Sequence, residues 1–146
     1  MKRLVLLVAL IWVPFLSIFL FASLGDTSYP HIAFHVFALA LLVPGVVVAH
    51  RVRLAVTTRT QRLLGGILAV TVPLAVVGNF LELVTAVVRL AQDGWVNQDT
   101  SDIWEEGSHV WVANLTVPSM MASMLIALVL VAATAVQGRR RLEPVE

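Results

Sequence analysis

The chain has 146 residues, of which 59% are hydrophobic and 13% charged, and its mean hydropathy is +0.90. A soluble domain is about half apolar and about a quarter charged, so one small water-soluble core has no place for this excess. The net charge is only +1 and the arginines stand in short clusters, which argues against nucleic acid as a partner. The absence of cysteine excludes disulfides and thiolate chemistry. We therefore expect an integral membrane protein, with residues 1–146 forming a single transmembrane domain.

Four apolar stretches are long enough to cross a bilayer as helices, which takes about 20 residues each. They cover approximately residues 4–24, 31–49, 63–90 and 110–136. The first stretch follows Lys2 and Arg3, as in a signal peptide, but it exceeds the usual apolar core of about 7–15 residues. We therefore expect that it is retained, and that the fold is an all-α bundle of four transmembrane helices with short loops.

The charged residues outside the spans divide by sign between the two sides of the membrane. Basic residues mark the start of the chain, the 50–62 loop and residues 139–141, whereas the 25–30 and 91–109 loops are acidic. The positive-inside rule then places both termini in the cytoplasm, and Trp95, Trp104 and Trp111 lie near the outer interface. The preference for arginine, alanine, valine and leucine is typical of GC-rich bacterial genomes. We therefore expect a bacterial cytoplasmic (plasma) membrane protein.

Small and polar residues of the second and third spans each follow one helical face, at the spacing i, i+3, i+4 and i+7. Small residues allow helices to approach closely, and polar residues need partners away from lipid, so both faces should lie inside the bundle. In the second span the face consists of His31, His35, Ala38, Gly45 and Ala49. In the third span it consists of Thr71, Ala75, Gly78, Asn79, Glu82, Thr85, Ala86 and Arg89.

Glu82 is the most informative residue of the chain. By residue count it lies within the hydrocarbon, where a carboxylate costs at least about 2.5 kcal/mol, and such residues commonly mark functional sites. His35 lies at a similar depth when both are counted from the outer surface. The simpler interpretation is a local ion pair or hydrogen bond of Glu82 with Asn79 or Arg89.

Polar residues of three spans are predicted to converge on one pocket that opens outward. Its predicted members are His31, His35, Asn79, Glu82, His109 and Asn114. His109 and Asn114 do not share a helical face, so at most one of these two side chains should point inward. The inner half of the bundle should be apolar.

Four interpretations of this pocket remain open at this stage. His31, His35 and Glu82 are candidate ligands of a metal ion. A haem needs two histidines on different helices, for which His35 and His109 are the outer pair. Acid–base chemistry on a lipophilic substrate would use Glu82 and His35. Without any chemistry, the bundle would dock onto a larger membrane complex or onto a second copy of itself.

The sequence favours a small polytopic membrane protein that holds a lipophilic ligand or a partner subunit at this His/Glu pocket. The alternative is a membrane-embedded enzyme of the isomerase, cyclase or oxygenase type. In that enzyme Glu82 and His35 would be the catalytic acid and base or metal ligands. Ligand contacts are predicted for His31, Asn79, His109 and Asn114. The sequence leaves the cofactor and the substrate open.

Overall fold

The structure is a computed structural model that describes residues 1–24, 28–93 and 107–140 of the chain. Four helices account for almost all of them: α1 (Lys2–Ser23), α2 (Ser28–Ala55), α3 (Arg59–Asp93) and α4 (Gly107–Arg140). Each helix is long and apolar enough to cross a membrane. The prediction of an all-α, four-helix membrane bundle is thereby confirmed at the level of the fold.

The prediction of a loop over residues 50–62 is largely wrong, because most of these residues are helical. Helix α2 continues to Ala55 and α3 begins at Arg59, so only residues 56–58 form the turn. Arginine is a good helix former once the chain has left the hydrocarbon. The start of α3 is also capped. The backbone N–H of Gln61 donates to Thr58 Oγ1 (3.2 Å), and the backbone N–H of Thr58 donates to Gln61 Oε1 (3.4 Å).

Several residues of the orientation argument lie outside the described part of the chain. These are Trp95, Trp104, the acidic residues of positions 94–106, Asp26, Arg141 and the side chains of Arg139 and Arg140. Trp111 is described, and its side chain is 81% exposed in the second turn of α4. The predicted orientation and the predicted membrane therefore stay predictions.

The helices form a ring in which each packs against its neighbours along the chain, and α4 also packs against α1. We call the end with the start of α1 and the α2–α3 turn the basic half, and the end with the starts of α2 and α4 the histidine half. In the basic half, buried apolar side chains from all four helices form one core. They are Leu4, Leu7, Ile11, Ala49, Val52, Leu68, Val72, Met124, Ala127 and Leu130.

The histidine half has a smaller apolar core, to which α1 contributes less. Its buried members are Phe34, Ala38, Leu42, Ala75 and Met120. From α1 only the partly buried Phe15 and Phe21 pack against them. Helix α1 is therefore fixed firmly in the basic half and leaves space beside α4 in the histidine half.

Burial in this bundle is inverted relative to a water-soluble protein. Large apolar side chains such as Phe19 and Leu54 are about two-thirds exposed or more, whereas the polar Asn79 and Ser123 are fully buried. All five residues of the predicted α2 face are buried. On the predicted α3 face, Thr71, Thr85 and Arg89 are partly buried and the other five members are buried. Such an arrangement suits lipid, where polar groups must find partners inside the bundle.

Candidate functional site

Three helices bring four ionisable side chains together in the histidine half. Helix α2 supplies His31 and His35 from successive turns, α3 supplies Glu82 and α4 supplies His109. We call these four residues the His/Glu cluster. Each is less than 9% exposed, although none belongs to a residue type that is commonly buried without a partner.

The close approach of α3 and α4 makes this meeting possible, and it depends on Gly78. A Cβ atom built on Gly78 would overlap the Thr116 hydroxyl and would lie 2.9 Å from Thr116 Cα. Because the obstacle includes backbone of α4, any side chain at position 78 would push the helices apart. Gly78 lies one turn before Glu82, so its missing side chain sets the separation at which Glu82 meets His109.

The polar atoms of the His/Glu cluster converge on a small volume. Nε2 of His31 and Nε2 of His35 are 3.1 Å apart. Glu82 Oε2 lies 3.6 Å from Nε2 of His35 and 3.3 Å from Nε2 of His109. The His31 and His109 rings also contact each other, with centroids 5.2 Å apart and planes tilted by 54°. One carboxylate oxygen is thus shared between two imidazoles.

Asn79 orients His35 from behind the cluster. The Asn79 side-chain amide donates to the Ala75 carbonyl (2.8 Å) and to the Met120 sulfur (3.4 Å), so its Oδ1 is turned toward His35. His35 Nδ1 lies 3.1 Å from that oxygen and must be the donor. In a neutral His35, the lone pair is then on Nε2, which faces His31 and Glu82.

The second carboxylate oxygen of Glu82 is left without a partner. Glu82 Oε1 is buried and makes no hydrogen bond of good geometry with the described residues, although the Thr116 side chain lies close to the carboxylate. A buried acceptor that is not satisfied by the protein costs about 1–3 kcal/mol. Such an atom is expected to be satisfied by something that binds next to it.

A cavity of about 430 Å³ lies against the His/Glu cluster, between α1 and α4. Apart from the four cluster residues, most of its wall is apolar. The apolar residues come from α1 (Phe15, Ile18, Phe21, Ala22), α2 (Pro30, Phe34) and α4 (Val110, Ala113, Val117, Pro118, Met120). Exposed residues of α1 and α4, such as Ile18 and Val117, form its rim. The cavity therefore opens on the side of the bundle, where a membrane protein meets lipid.

The structure places the predicted site residues as follows. His31, His35, Glu82 and His109 line the cavity together, and Asn79 contacts His35 from the interior. Asn114 also lines the cavity but is exposed, so of the pair on α4 it is His109 that is buried. Within the described residues the Glu82 carboxylate lies close to His35, His109 and Thr116, and no hydrogen bond to Asn79 is among these contacts.

Sequence reasoning missed the whole contribution of α1 and the role of Thr116 and Met120. Phe15, Ile18 and Phe21 follow each other at helical spacing, but lipid-facing helices carry the same pattern. No signal in α1 separates a cavity wall from a lipid-facing surface. The sequence does contain a signal for Thr116. It is a small polar residue within an apolar span, and small residues such as Thr116 and Gly78 are typical of contacts between membrane helices.

The arrangement offers proton donors, acceptors and metal-ligating atoms at one end of an otherwise apolar cavity. The protein therefore combines four helices of membrane-spanning length with a buried polar site. No family model, curated protein or solved structure matches this chain. The function has to be inferred from the geometry of the site.

Proposed function

We propose that the protein binds a lipophilic small molecule in the cavity between α1 and α4, with the polar group of that molecule against the His/Glu cluster. One observation carries this proposal: a side-opening cavity of about 430 Å³ has a mostly apolar wall, and the buried His/Glu cluster lines one end of it. Sites for small molecules have this composition, with a mostly apolar wall and a few convergent polar groups that fix the orientation.

The cluster defines the polar group that fits. Glu82 Oε1 needs a hydrogen-bond donor, and the imidazoles of His31 and His109 present ring nitrogens at the same end of the cavity. A hydroxyl group on a long apolar molecule can donate to Glu82 Oε1 and accept from an imidazole, while the apolar part contacts Phe15, Phe34 and the α4 wall. An isoprenoid or polyketide-like molecule with one oxygenated end has this chemistry.

The route of entry follows from the exposed rim. Ile18 and Ala22 on α1, and Val110 and Val117 on α4, are apolar and exposed at the opening. A molecule dissolved in the bilayer reaches the cluster between these helices without crossing water. We place the protein in the bacterial cytoplasmic membrane with both termini in the cytoplasm, which puts the cavity in the outer leaflet.

The proposal is tested by photolabelling in lipid nanodiscs with a diazirine-bearing long-chain phenol. Labelled peptides are then located by mass spectrometry. We expect labelling concentrated on the cavity-lining parts of α1 and α4. Ala113→Phe fills the cavity from α4 and should reduce this labelling at least about fivefold.

Ala132→Phe is the matched control, because Ala132 is an exposed alanine of the same helix in the basic half. It should leave labelling of the cavity unchanged. Labelling spread evenly over all lipid-facing residues, and unaffected by Ala113→Phe, would contradict the proposal. Purification of wild type with a larger protein that Ala113→Phe releases would instead identify a partner subunit as the occupant.

The enzyme alternative is favoured by one further feature, the position of Glu82 Oε2 between two imidazoles. A carboxyl group in such a position can pass a proton to or from a bound molecule through His35. The test compares the lipophilic molecules extracted from wild type and from Glu82→Gln by mass spectrometry. A binder should yield the same molecule from both, in a smaller amount from the variant, whereas an enzyme should accumulate a different, unconverted species in the variant.

A further inference from the structure

We infer that His31, His35 and Glu82 bind one divalent transition-metal ion, which holds an oxygen atom of the lipophilic ligand. The inference about the ligand's oxygen rests on the proposed function, whereas metal binding by the three residues stands on the geometry of the cluster. Both histidines and the glutamate are buried, and one ligand atom of each lies within 4.8 Å of the others.

The distances match those between ligands that share one ion. Metal–nitrogen and metal–oxygen bonds of about 2.0–2.2 Å at tetrahedral angles separate adjacent ligand atoms by about 3.3–3.5 Å. The observed separations are 3.1 Å for the two Nε2 atoms and 3.6 Å between His35 Nε2 and Glu82 Oε2. These two separations are therefore within a few tenths of an ångström of the values for a shared ion, and the third, between His31 and Glu82, is at most 4.8 Å, so the His31 and Glu82 side chains need only close on each other.

The donor set selects the class of metal. Two imidazoles and one carboxylate favour zinc, iron, manganese or cobalt over magnesium or calcium, which prefer oxygen ligands. Three protein ligands also leave coordination positions open, as in catalytic rather than structural sites. The three residues all line the cavity, so an open position is accessible to a molecule bound there.

Asn79 orients the His35 ring for metal binding. Because His35 Nδ1 donates to Asn79 Oδ1, the lone pair of the neutral ring is on Nε2, the atom that faces the other two ligands. Metal-binding histidines usually have such a partner on the far ring nitrogen, which fixes both tautomer and ring orientation. His109 supports Glu82 as Asn79 supports His35, since His109 Nε2 lies 3.3 Å from Glu82 Oε2.

The charge balance specifies the ligand further. A divalent ion held by two neutral imidazoles and one carboxylate retains one positive charge within an apolar region, where an uncompensated charge is costly. An anionic oxygen neutralises it. The favoured ligands are therefore lipophilic molecules whose oxygen ionises readily, such as a carboxylic acid, an enol or a phenol, rather than simple alcohols.

Cobalt(II) alone is a suitable probe, because its visible absorption reports the coordination number. The purified protein is stripped with a chelator in mild detergent, titrated with Co²⁺ and analysed for bound metal. We expect one Co²⁺ per chain with the absorption of a four- or five-coordinate site. His35→Ala and Glu82→Gln should each weaken binding at least about a hundredfold, and Asn79→Ala about 10–100-fold.

His50→Ala is the matched control, because His50 is an exposed histidine of the same helix, outside the cluster. It should bind Co²⁺ as wild type does. Helical circular dichroism and a single gel-filtration peak establish folding, and Glu82→Gln, which keeps the side-chain shape, serves if His35→Ala fails this test. Co²⁺ binding that is absent from wild type, or equally tight in folded Glu82→Gln, would overturn the inference.

The photolabelling experiment separates this result from the proposed function. If cavity labelling persists in a protein that binds no Co²⁺, the metal inference is wrong and the lipophilic cavity stands. If Co²⁺ binds at the cluster without selective labelling of the cavity, metal binding stands and the proposed lipophilic ligand is wrong. A photoreactive long-chain carboxylic acid that labels the Co²⁺-loaded protein more strongly than the stripped protein supports direct coordination of the ligand.

Discussion

The two halves of the bundle solve the problem of helix packing in opposite ways. In the basic half, all four helices interlock through apolar side chains such as Leu7 and Leu68, which are completely buried. In the histidine half, α1 packs less closely against α4, and the space between them is a mostly apolar cavity with the His/Glu cluster at one end. The apolar core of the basic half is what a stable helix bundle requires. The cavity and the buried ionisable cluster of the histidine half are not explained by stability alone.

This difference separates two kinds of contribution to the protein. Substitutions in the basic half should lower the free energy of unfolding while leaving the site intact. Substitutions in the His/Glu cluster should remove binding while changing stability little, because a buried ionisable cluster is at best a weak source of stability. The predictions below test that separation, from the largest expected change in stability to the smallest.

Leu7→Ala in α1 should cost about 2–3 kcal/mol of unfolding free energy. Leu7 is completely buried in the basic half, and lipid tails cannot fill the void that the shorter side chain leaves. Its neighbour Leu6 is 50% exposed and provides the matched control, since Leu6→Ala exchanges one lipid contact for another. Thermal unfolding in detergent measures both, and equal losses for the two variants would contradict the packing described here.

Gly78→Ala should cost about 1–3 kcal/mol, because the new methyl group collides with Thr116 on α4. Gly66→Ala in the same helix meets no atom within 4 Å and should instead stabilise by about 0.5 kcal/mol through lower chain entropy. Unfolding curves of the two variants should therefore shift in opposite directions. Gly78→Ala should also weaken Co²⁺ binding, since it moves His109 on α4 away from Glu82, the metal ligand that His109 contacts. A shift of both curves in one direction would contradict this explanation.

Ser123→Ala should have a smaller effect, about 0.6 kcal/mol, the average for hydrogen bonds between membrane helices. The Ser123 and Thr71 hydroxyls are hydrogen-bonded to each other, with their oxygens 2.9 Å apart, where α3 and α4 meet near the middle of the bundle. A double-mutant cycle with Thr71→Ala isolates this bond from the bond that Ser123 makes to the Ser119 carbonyl. A coupling energy near zero would show that the two side chains contribute to stability through packing and not through their hydrogen bond.

The sequence was sufficient to predict the helices and their inward faces. The reason is physical: lipid leaves a chain few alternatives, so spans follow from length and hydropathy, and an inward face follows from polar residues such as Asn79 at helical spacing. The α2–α3 turn was predicted too long, because arginine marks the end of the hydrocarbon and not the end of the helix.

The site was predictable only in part, since the residues were identifiable but their partners were not. His35 and Glu82 were expected at similar depth, and their polar atoms are 3.6 Å apart. The cavity itself was not predictable, because it arises from the divergence of α1 and α4, which depends on packing over the whole length of both helices. Phe15 and Phe21 on α1 carry no sequence signal that distinguishes a cavity wall from a lipid contact.

Glu82→Gln should leave the unfolding free energy nearly unchanged, with a difference of no more than a few tenths of a kcal/mol, the smallest effect in this series. The amide loses the attraction of the carboxylate for His35 and His109, but it also removes a buried charge with one unsatisfied oxygen. These two effects have opposite signs, and the variant leaves no unpaired buried charge when both imidazoles are neutral. If the cluster served only to hold the helices together, breaking it would cost about 3–5 kcal/mol. Thermal unfolding and Co²⁺ titration of one preparation decide between these cases: normal stability with lost binding assigns Glu82 to function, and a loss of several kcal/mol assigns it to the fold.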